Sequence, residues 1–188
     1  GQEPSIIMAD AGWDSIRIHN AITAFIIERG YGYQTDVIMG STPIVTQGLI
    51  LGDIDLCMEV WTDNVLELYQ AGIESGEIID LGVNFDDNAQ GLYVPTYLIK
   101  GDQTRGIEPL VPNLQSIKDL PKYWEVFRDP DHPSQGRIYG APPTWGADEI
   151  LRTKMKTYNL DERYDYFNPG TDTALNTALV SAYERGEP

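Results

Sequence analysis

Three of the four tryptophans in the sequence share one kind of setting. Trp13 follows the apolar run IIMAD, Trp61 ends IDLCMEV, and Trp145 follows RIYGAPP in PPTWGADE. Each stands where a strand pattern gives way to polar residues and a helix start. In a parallel α/β sheet that is the ligand crevice, at the carboxyl ends of the strands. A single indole there can serve as a plug over the sheet; three at equivalent positions argue for a site. Tyr93, in QGLYVP, lies on a strand-like run leading into the second half of the chain, whereas Trp124, in PKYWEVF, sits mid-helix and reads as core. Ring faces carry negative charge density and attract a cation that cannot donate hydrogen bonds, chiefly a quaternary ammonium. At about 0.5–2 kcal/mol per face, three or four faces desolvated by closure give about 6–8 kcal/mol at the top of that range, near the −8 kcal/mol of micromolar binding.

Other chemistries find little footing. His19 lies in a helical run and His132 in the Pro-rich RDPDHPSQG, neither with a Cys or carboxylate partner at metal-ligand spacing in the sequence. Core or surface roles are expected for both, with no metal site and no cofactor. RDPDHPSQG also has two prolines and no closing Glu, unlike a calcium loop. The sequence has no G-x-S-x-G, P-loop or G-x-G-x-x-G motif, and ERGYG reads as a helix C-terminus. With no nucleophile and base in evidence, binding rather than catalysis is expected. The lone cysteine, Cys57, excludes an internal disulfide and reads as a small buried hydrophobe.

Charge narrows the partners. The net charge of −16 argues against nucleic acid, which needs clustered Lys and Arg. Residues 1–100 hold 3 basic and 15 acidic residues, against 10 and 14 in 101–188. An acidic first half is a solvated surface that also suits a cationic ligand. No apolar run approaches the roughly 20 residues that span a bilayer. The opening GQEPS lacks the pattern of a signal segment and reads as a mature or engineered start.

The elements that must hold these residues alternate. A strand over 5–10, a helix over 13–30, a strand over 33–40, a helix over 41–53, a strand over 54–61, a helix from Asp63 or Asn64 to Gly76 and a strand over 78–83 make a parallel α/β pattern. In the first helix Ile16, Ala21, Ile22, Phe25 and Ile26 recur at helical spacing, with Gly30 as C-cap. A further strand over 91–102, bent at Pro95, leads into a Pro/Gly-rich loop. Composition shifts there, which places a lobe boundary near Lys100 and divides the chain into 1–100 and 101–188. Beyond it a helix over 116–127, a strand over 137–143, a helix from Ala147 to Tyr158, a strand over 164–169 and a helix over 171–186 are expected.

Four stretches, AGWDS, ERGYGYQTDVIMGSTPIVTQGLILGDIDLCMEVWTDN, RIYGAPPTWGADE and ALVSAYERGEP, resemble the glycine betaine/choline (compatible-solute) substrate-binding proteins of ABC importers. The resemblance runs over nearly the whole chain. It implies a periplasmic-binding-protein-like (type II) fold of two α/β lobes around a cleft, and a quaternary ammonium ligand in an aromatic cage. It implies ABC transporter membrane subunits as partners and an extracytoplasmic location, free in a periplasm or lipid-anchored. By the same resemblance Trp61 and Trp145 match cage tryptophans, Trp13 and Tyr93 match further cage aromatics, and the backbone N–H groups of Gly146 and Ala147 hold a ligand carboxylate. A helix N-terminus is an anion site in any case. Asp14 resembles an acid that takes a choline hydroxyl, and it reads equally as a first-turn acid of the helix. Carnitine, proline betaine or an amino acid are alternative ligands, and a sensor module or an enzyme acting on a choline-like ester are alternative roles. Relatives continue past AYERGEP into another tryptophan-bearing strand and a return crossing. The resemblance therefore implies an incomplete second lobe, weak ligand binding or none, and self-association for these 188 residues.

Overall fold

The structure, a computed structural model, describes residues 5–188. Its α/β elements run β1 (Ile6–Asp10), α1 (Asp14–Ile26), β2 (Thr35–Met39), α2 (Thr42–Leu51), α3 (Leu66–Ser75), α4 (Thr96–Lys100), β3 (Gly136–Tyr139), α5 (Gly146–Thr157), β4 (Tyr164–Phe167) and α6 (Asp172–Arg185). Two compact units result: the chain up to Asp87 together with Pro143–Asp148, and Asn88–Pro142 together with Glu149–Pro188. The units part at Asp87 rather than Lys100, and the segment carrying Trp145 packs with the first.

In the first unit β1 and β2 pair in parallel, Ile6 opposite Thr35 through Asp10 opposite Met39. A core of Ala9, Ala11, Ile16, Val45 and Ile54 joins β1 to α1 and α2, with Trp13, Leu49 and Cys57 packed against it. Gly48 lets α2 approach closely, because a Cβ there would lie 2.9 Å from Ile54 Cδ1. The buried amide of Asn20 donates to the Ala9 carbonyl at 2.8 Å and ties α1 to β1.

Several expected elements take another form. The apolar stripe of α1 divides: Ile16 and Asn20 face the core, while Ile22, Phe25 and Ile26 are 52–67% exposed. The end of α1 widens into a π turn over Ile27–Tyr31, so the left-handed cap is Gly32 (φ 80°), not Gly30. Residues 54–61 are not a full strand. Leu56 alone bridges Met8, and the Asp55 carboxylate takes the Ile7 N–H that a ladder carbonyl would otherwise accept. Residues 78–83 form no strand; Ile79, Leu81 and Val83 are 79–84% exposed. The 91–102 run becomes α4 instead, because Pro95 fixes a helix entry and Gly101 ends it. Residues 117–123 are a 3₁₀ helix rather than the α-helix expected: Pro121 removes a backbone donor, while Ser116 and Asp119 form a capping box.

In the second unit β3 and β4 pair in parallel, Arg137 opposite Asp165. Gly136 and Gly140 admit the rings of β4, since a Cβ at Gly140 would fall 2.1 Å from Tyr166 Cζ. Leu120, Met155, Leu160 and Tyr164 form one core and Tyr97, Leu98 and Val111 another. Trp124 packs on the first of these, in line with its reading as core. Arg105 lies over the rings of Tyr97 and Tyr183 and donates to the Tyr183 and Glu184 carbonyls at 2.7 and 3.0 Å, which caps α6.

Candidate functional site

The carboxyl end of β1 sets the first part of the site. Buried Asp10 accepts the Gly12 N–H at 2.8 Å and the Arg17 Nε–H at 2.9 Å, which folds the chain sharply after the strand. Gly12 takes φ 96°, open to glycine at little cost, and delivers Trp13 to the N-cap of α1. The Trp13 and Trp145 rings meet edge to face, centroids 6.1 Å apart at 87°. Trp145 is brought there by Thr42 at the start of α2. The Thr42 N–H donates to the Thr144 carbonyl at 2.9 Å, and its hydroxyl accepts the Gly146 N–H at 3.1 Å. A Cβ on Gly146 would lie 3.1 Å from Asn64 Cβ, so glycine lets this segment lie against the turn after Trp61.

The second part is built on Glu59. Its side chain is only 4% exposed, yet one oxygen, Oε1, accepts the Trp61 indole N–H at 3.0 Å and the Ser15 hydroxyl at 3.1 Å. The other, Oε2, lies 3.5 Å from His19 Nδ1, and neither atom makes a hydrogen bond. His19 thus has a carboxylate partner 40 residues away in sequence, contrary to the expectation from local spacing. The Trp61 ring packs edge-on to Phe85 at 6.1 Å. A carboxylate that accepts an indole N–H pushes electron density towards the ring, which strengthens attraction for a cation over its face.

Trp13, Trp145, Gly146 and, through Ser15 and Glu59, Trp61 are therefore held on one framework of the first unit. Ala147 follows in the half-buried first turn of α5. Asp14 is exposed and pairs with Arg17 Nη1 at 3.6 Å. Tyr93 belongs to the second unit, is 73% exposed, and donates its hydroxyl to the Ala89 carbonyl at 2.7 Å. Sequence reasoning missed Glu59, Ser15, Thr42 and Phe85. Glu59 stands within the 54–61 run and Thr42 at the start of the 41–53 helix, and neither is aromatic or at metal-ligand spacing. Phe85 lies in irregular chain with no periodicity to reveal it.

Cys57 sits beside this network and donates to the Glu59 carbonyl at 3.5 Å. Burial pushes its thiol up from the ordinary value, and the Glu59 charge adds to the shift. Cys57 is therefore expected to react with a disulfide reagent at pH 8 at least about tenfold slower than free cysteine, and at the ordinary rate in urea. Fast modification of the folded protein would mean the thiol is open to solvent.

The comparisons agree on a family and a fold. Residues 4–188 match the family described as the substrate-binding domain of the ABC-type glycine betaine transport system. A glycine/betaine/L-proline-binding protein (ProX) of a glycine betaine, L-proline ABC transporter from Borrelia burgdorferi superposes with TM-score 0.71 at 18% identity, over 98% of this chain and 60% of that one. An ABC-transporter choline-binding protein in complex with choline superposes with TM-score 0.64 at 18% identity, over 98% and 59%. The uncharacterized protein ORF1 of Chromohalobacter salexigens is 26% identical over 128 residues, 68% of this chain and 75% of that protein. The chain thus has the periplasmic-binding-protein-like α/β fold and spans about 60% of the length of the solved structures it matches.

Proposed function

The chain belongs to the family of substrate-binding domains of ABC-type glycine betaine transport systems, and from that premise we propose that it captures a quaternary ammonium solute, glycine betaine or choline, for the membrane subunits of an importer outside the cytoplasm. The role is binding, not catalysis. One observation carries this reading: the Trp61 indole is fixed by the buried Glu59 carboxylate, on the framework that also holds Trp13 and Trp145 edge to face. Rings pinned this way present faces to a cation without an ordering cost at binding. Ala147, with Gly146 if Thr42 releases it, holds the carboxylate of betaine. No helix among the described residues is long and apolar enough to cross a membrane.

Calorimetric titration of the chain with glycine betaine, choline and the neutral isostere 3,3-dimethylbutan-1-ol tests this reading. The two cations are expected to saturate and the isostere to bind several-fold more weakly. Equal affinity for the isostere would show that ring faces do not select charge. Asp14, one residue from Trp13, is proposed to accept the choline hydroxyl. Asp14→Asn is expected to lower the choline-to-betaine affinity ratio several-fold, and an unchanged ratio leaves Asp14 as the first-turn partner of Arg17.

We also propose that the chain self-associates with a second copy through the apolar side of α1 and β2. Ile18, Ile22, Phe25 and Ile26 of the helix and Val37 and Met39 of the strand are 44–69% exposed. Val37 also lines a groove with Met8, Asn20 and Ala24, whose other walls include Asp10, Arg17 and Asp36. Patches of this kind mark interaction surfaces. Light scattering is expected to show mass rising with concentration, and Phe25→Glu to suppress the rise; a concentration-independent monomer overturns the proposal.

A further inference from the structure

The loop before β3 holds a group of side chains that solute capture does not use. Asp129 is fully buried, and its two oxygens are treated very differently. Oδ1 accepts the Asp131 N–H at 2.7 Å, the His132 N–H at 3.1 Å and the Arg137 Nη2–H at 2.7 Å. Oδ2, equally buried, accepts no hydrogen bond. It lies 3.6 Å from His132 Nδ1. Ligand atoms of Asp129, His132 and Asp165 all fall within 4.8 Å of one another. His132 therefore has two carboxylate neighbours, one of them 33 residues away on β4, which local spacing did not reveal.

We propose that Asp129, His132 and Asp165 form a binding site for a first-row divalent cation, with Zn²⁺ as its representative. Two ligand atoms about 2.1 Å from one ion at a tetrahedral angle stand about 3.4 Å apart, close to the spacing of Oδ2 and Nδ1. The donor set comes next: one imidazole and two carboxylates suit zinc-like ions, and the exposed side of His132 leaves room for water to complete the shell. Charge also favours a cation. Asp129 and Asp131 pair with Arg137, and Asp165 brings a third carboxylate within 4.8 Å of the Asp129 and His132 ligand atoms. Arg137 occupies Oδ1 only, so it fixes the Asp129 carboxylate with Oδ2 turned towards His132. The β3–β4 register then sets Asp165 beside the same arginine. Burying a carboxylate oxygen without a partner is costly, and a bound cation removes that cost while tying the 129–135 loop to β4.

The test is calorimetric titration of the EDTA-treated chain with ZnCl₂, with MgCl₂ as control and the visible absorption of added Co²⁺ as a second readout. One equivalent of Zn²⁺ is expected to bind, with His132→Ala and Asp165→Asn each lowering the affinity tenfold or more. Both changes fall on side chains outside the core, and the denaturation midpoint of each metal-free variant verifies folding. Co²⁺ is expected to develop d–d bands that His132→Ala abolishes. Three results overturn the proposal: no saturable Zn²⁺ binding below about 1 mM, Zn²⁺ binding that survives loss of His132, or Mg²⁺ binding as tightly as Zn²⁺. The last would mean that negative charge alone draws the ion.

Discussion

Replacing Trp61 with alanine is expected to weaken glycine betaine binding by roughly 1–3 kcal/mol, about 5–150-fold, with a smaller effect on folding. Trp145→Ala should fall in the same range. Phenylalanine keeps a ring face and should retain part of the affinity; leucine keeps the apolar volume and should retain little. The support beneath Trp61 gives an independent check. Glu59→Gln preserves an oxygen that accepts from both Trp61 Nε1 and Ser15 Oγ, so binding should survive with a modest loss. Glu59→Leu leaves the part-buried Trp61 N–H and the Ser15 hydroxyl without this acceptor, and should cost about 1 kcal/mol of stability as well as most of the binding. Calorimetry beside chemical denaturation separates the two effects. Equal affinity in the phenylalanine and leucine variants would remove ring faces from the account.

Arg137→Ala is expected to lower the stability of the second unit by on the order of 3 kcal/mol, because it strands the Asp129 carboxylate away from water. The guanidinium lies 2.7 Å from Asp129 Oδ1 and 4.2 Å above the Phe167 ring centroid, and its side chain is 10% exposed. Burial alone pushes the Asp129 carboxyl up, but the hydrogen bonds from Arg137 and from the Asp131 and His132 N–H groups outweigh it and hold the pKa below the ordinary value. Removing both charges together, as Arg137→Met with Asp129→Leu, should recover part of the loss, since a buried pair is expensive to break and inexpensive to replace. Urea denaturation of the single and double variants measures this. A loss below about 1 kcal/mol in Arg137→Ala would class the pair with ordinary surface ion pairs.

The parts of this structure that could be read from sequence were those fixed by neighbours along the chain. Trp13 and Trp61 stand where strand patterns end because Gly12 and the Thr62–Asn64 turn punctuate them locally. The parallel order of β1 and β2 follows from an apolar run, a helix and a second run. What failed depended on distant partners or on one extra residue. Ile79, Leu81 and Val83 alternate like a strand but find no strand to pair with among the described residues. Glu59 alternates as if towards water yet is buried by Ser15, Trp61 and His19. A π turn moved the α1 cap by two positions, from Gly30 to Gly32. Of the candidate site, the three tryptophans stood out in the sequence, whereas Phe85 and the carboxylate that accepts from Trp61 did not, the latter because Ser15 and Glu59 lie 44 residues apart.

The clasp between Thr42 and the 144–146 segment sets an order of events at the ribosome. Its hydrogen bonds join residues 102 and 104 positions apart, while β1, β2 and α2 need only the first fifty or so residues. At about 5–20 residues per second, Gly146 emerges roughly 5–20 s after Thr42. Through that interval Trp13 lacks the ring it later packs against, and the start of α2 lacks its closing carbonyl. The first unit is thus the earliest part of the chain to begin folding, and it waits on a segment made much later to finish. Slowing synthesis between residues 88 and 142 would lengthen that wait, and with it the time that Trp13 spends without its partner ring.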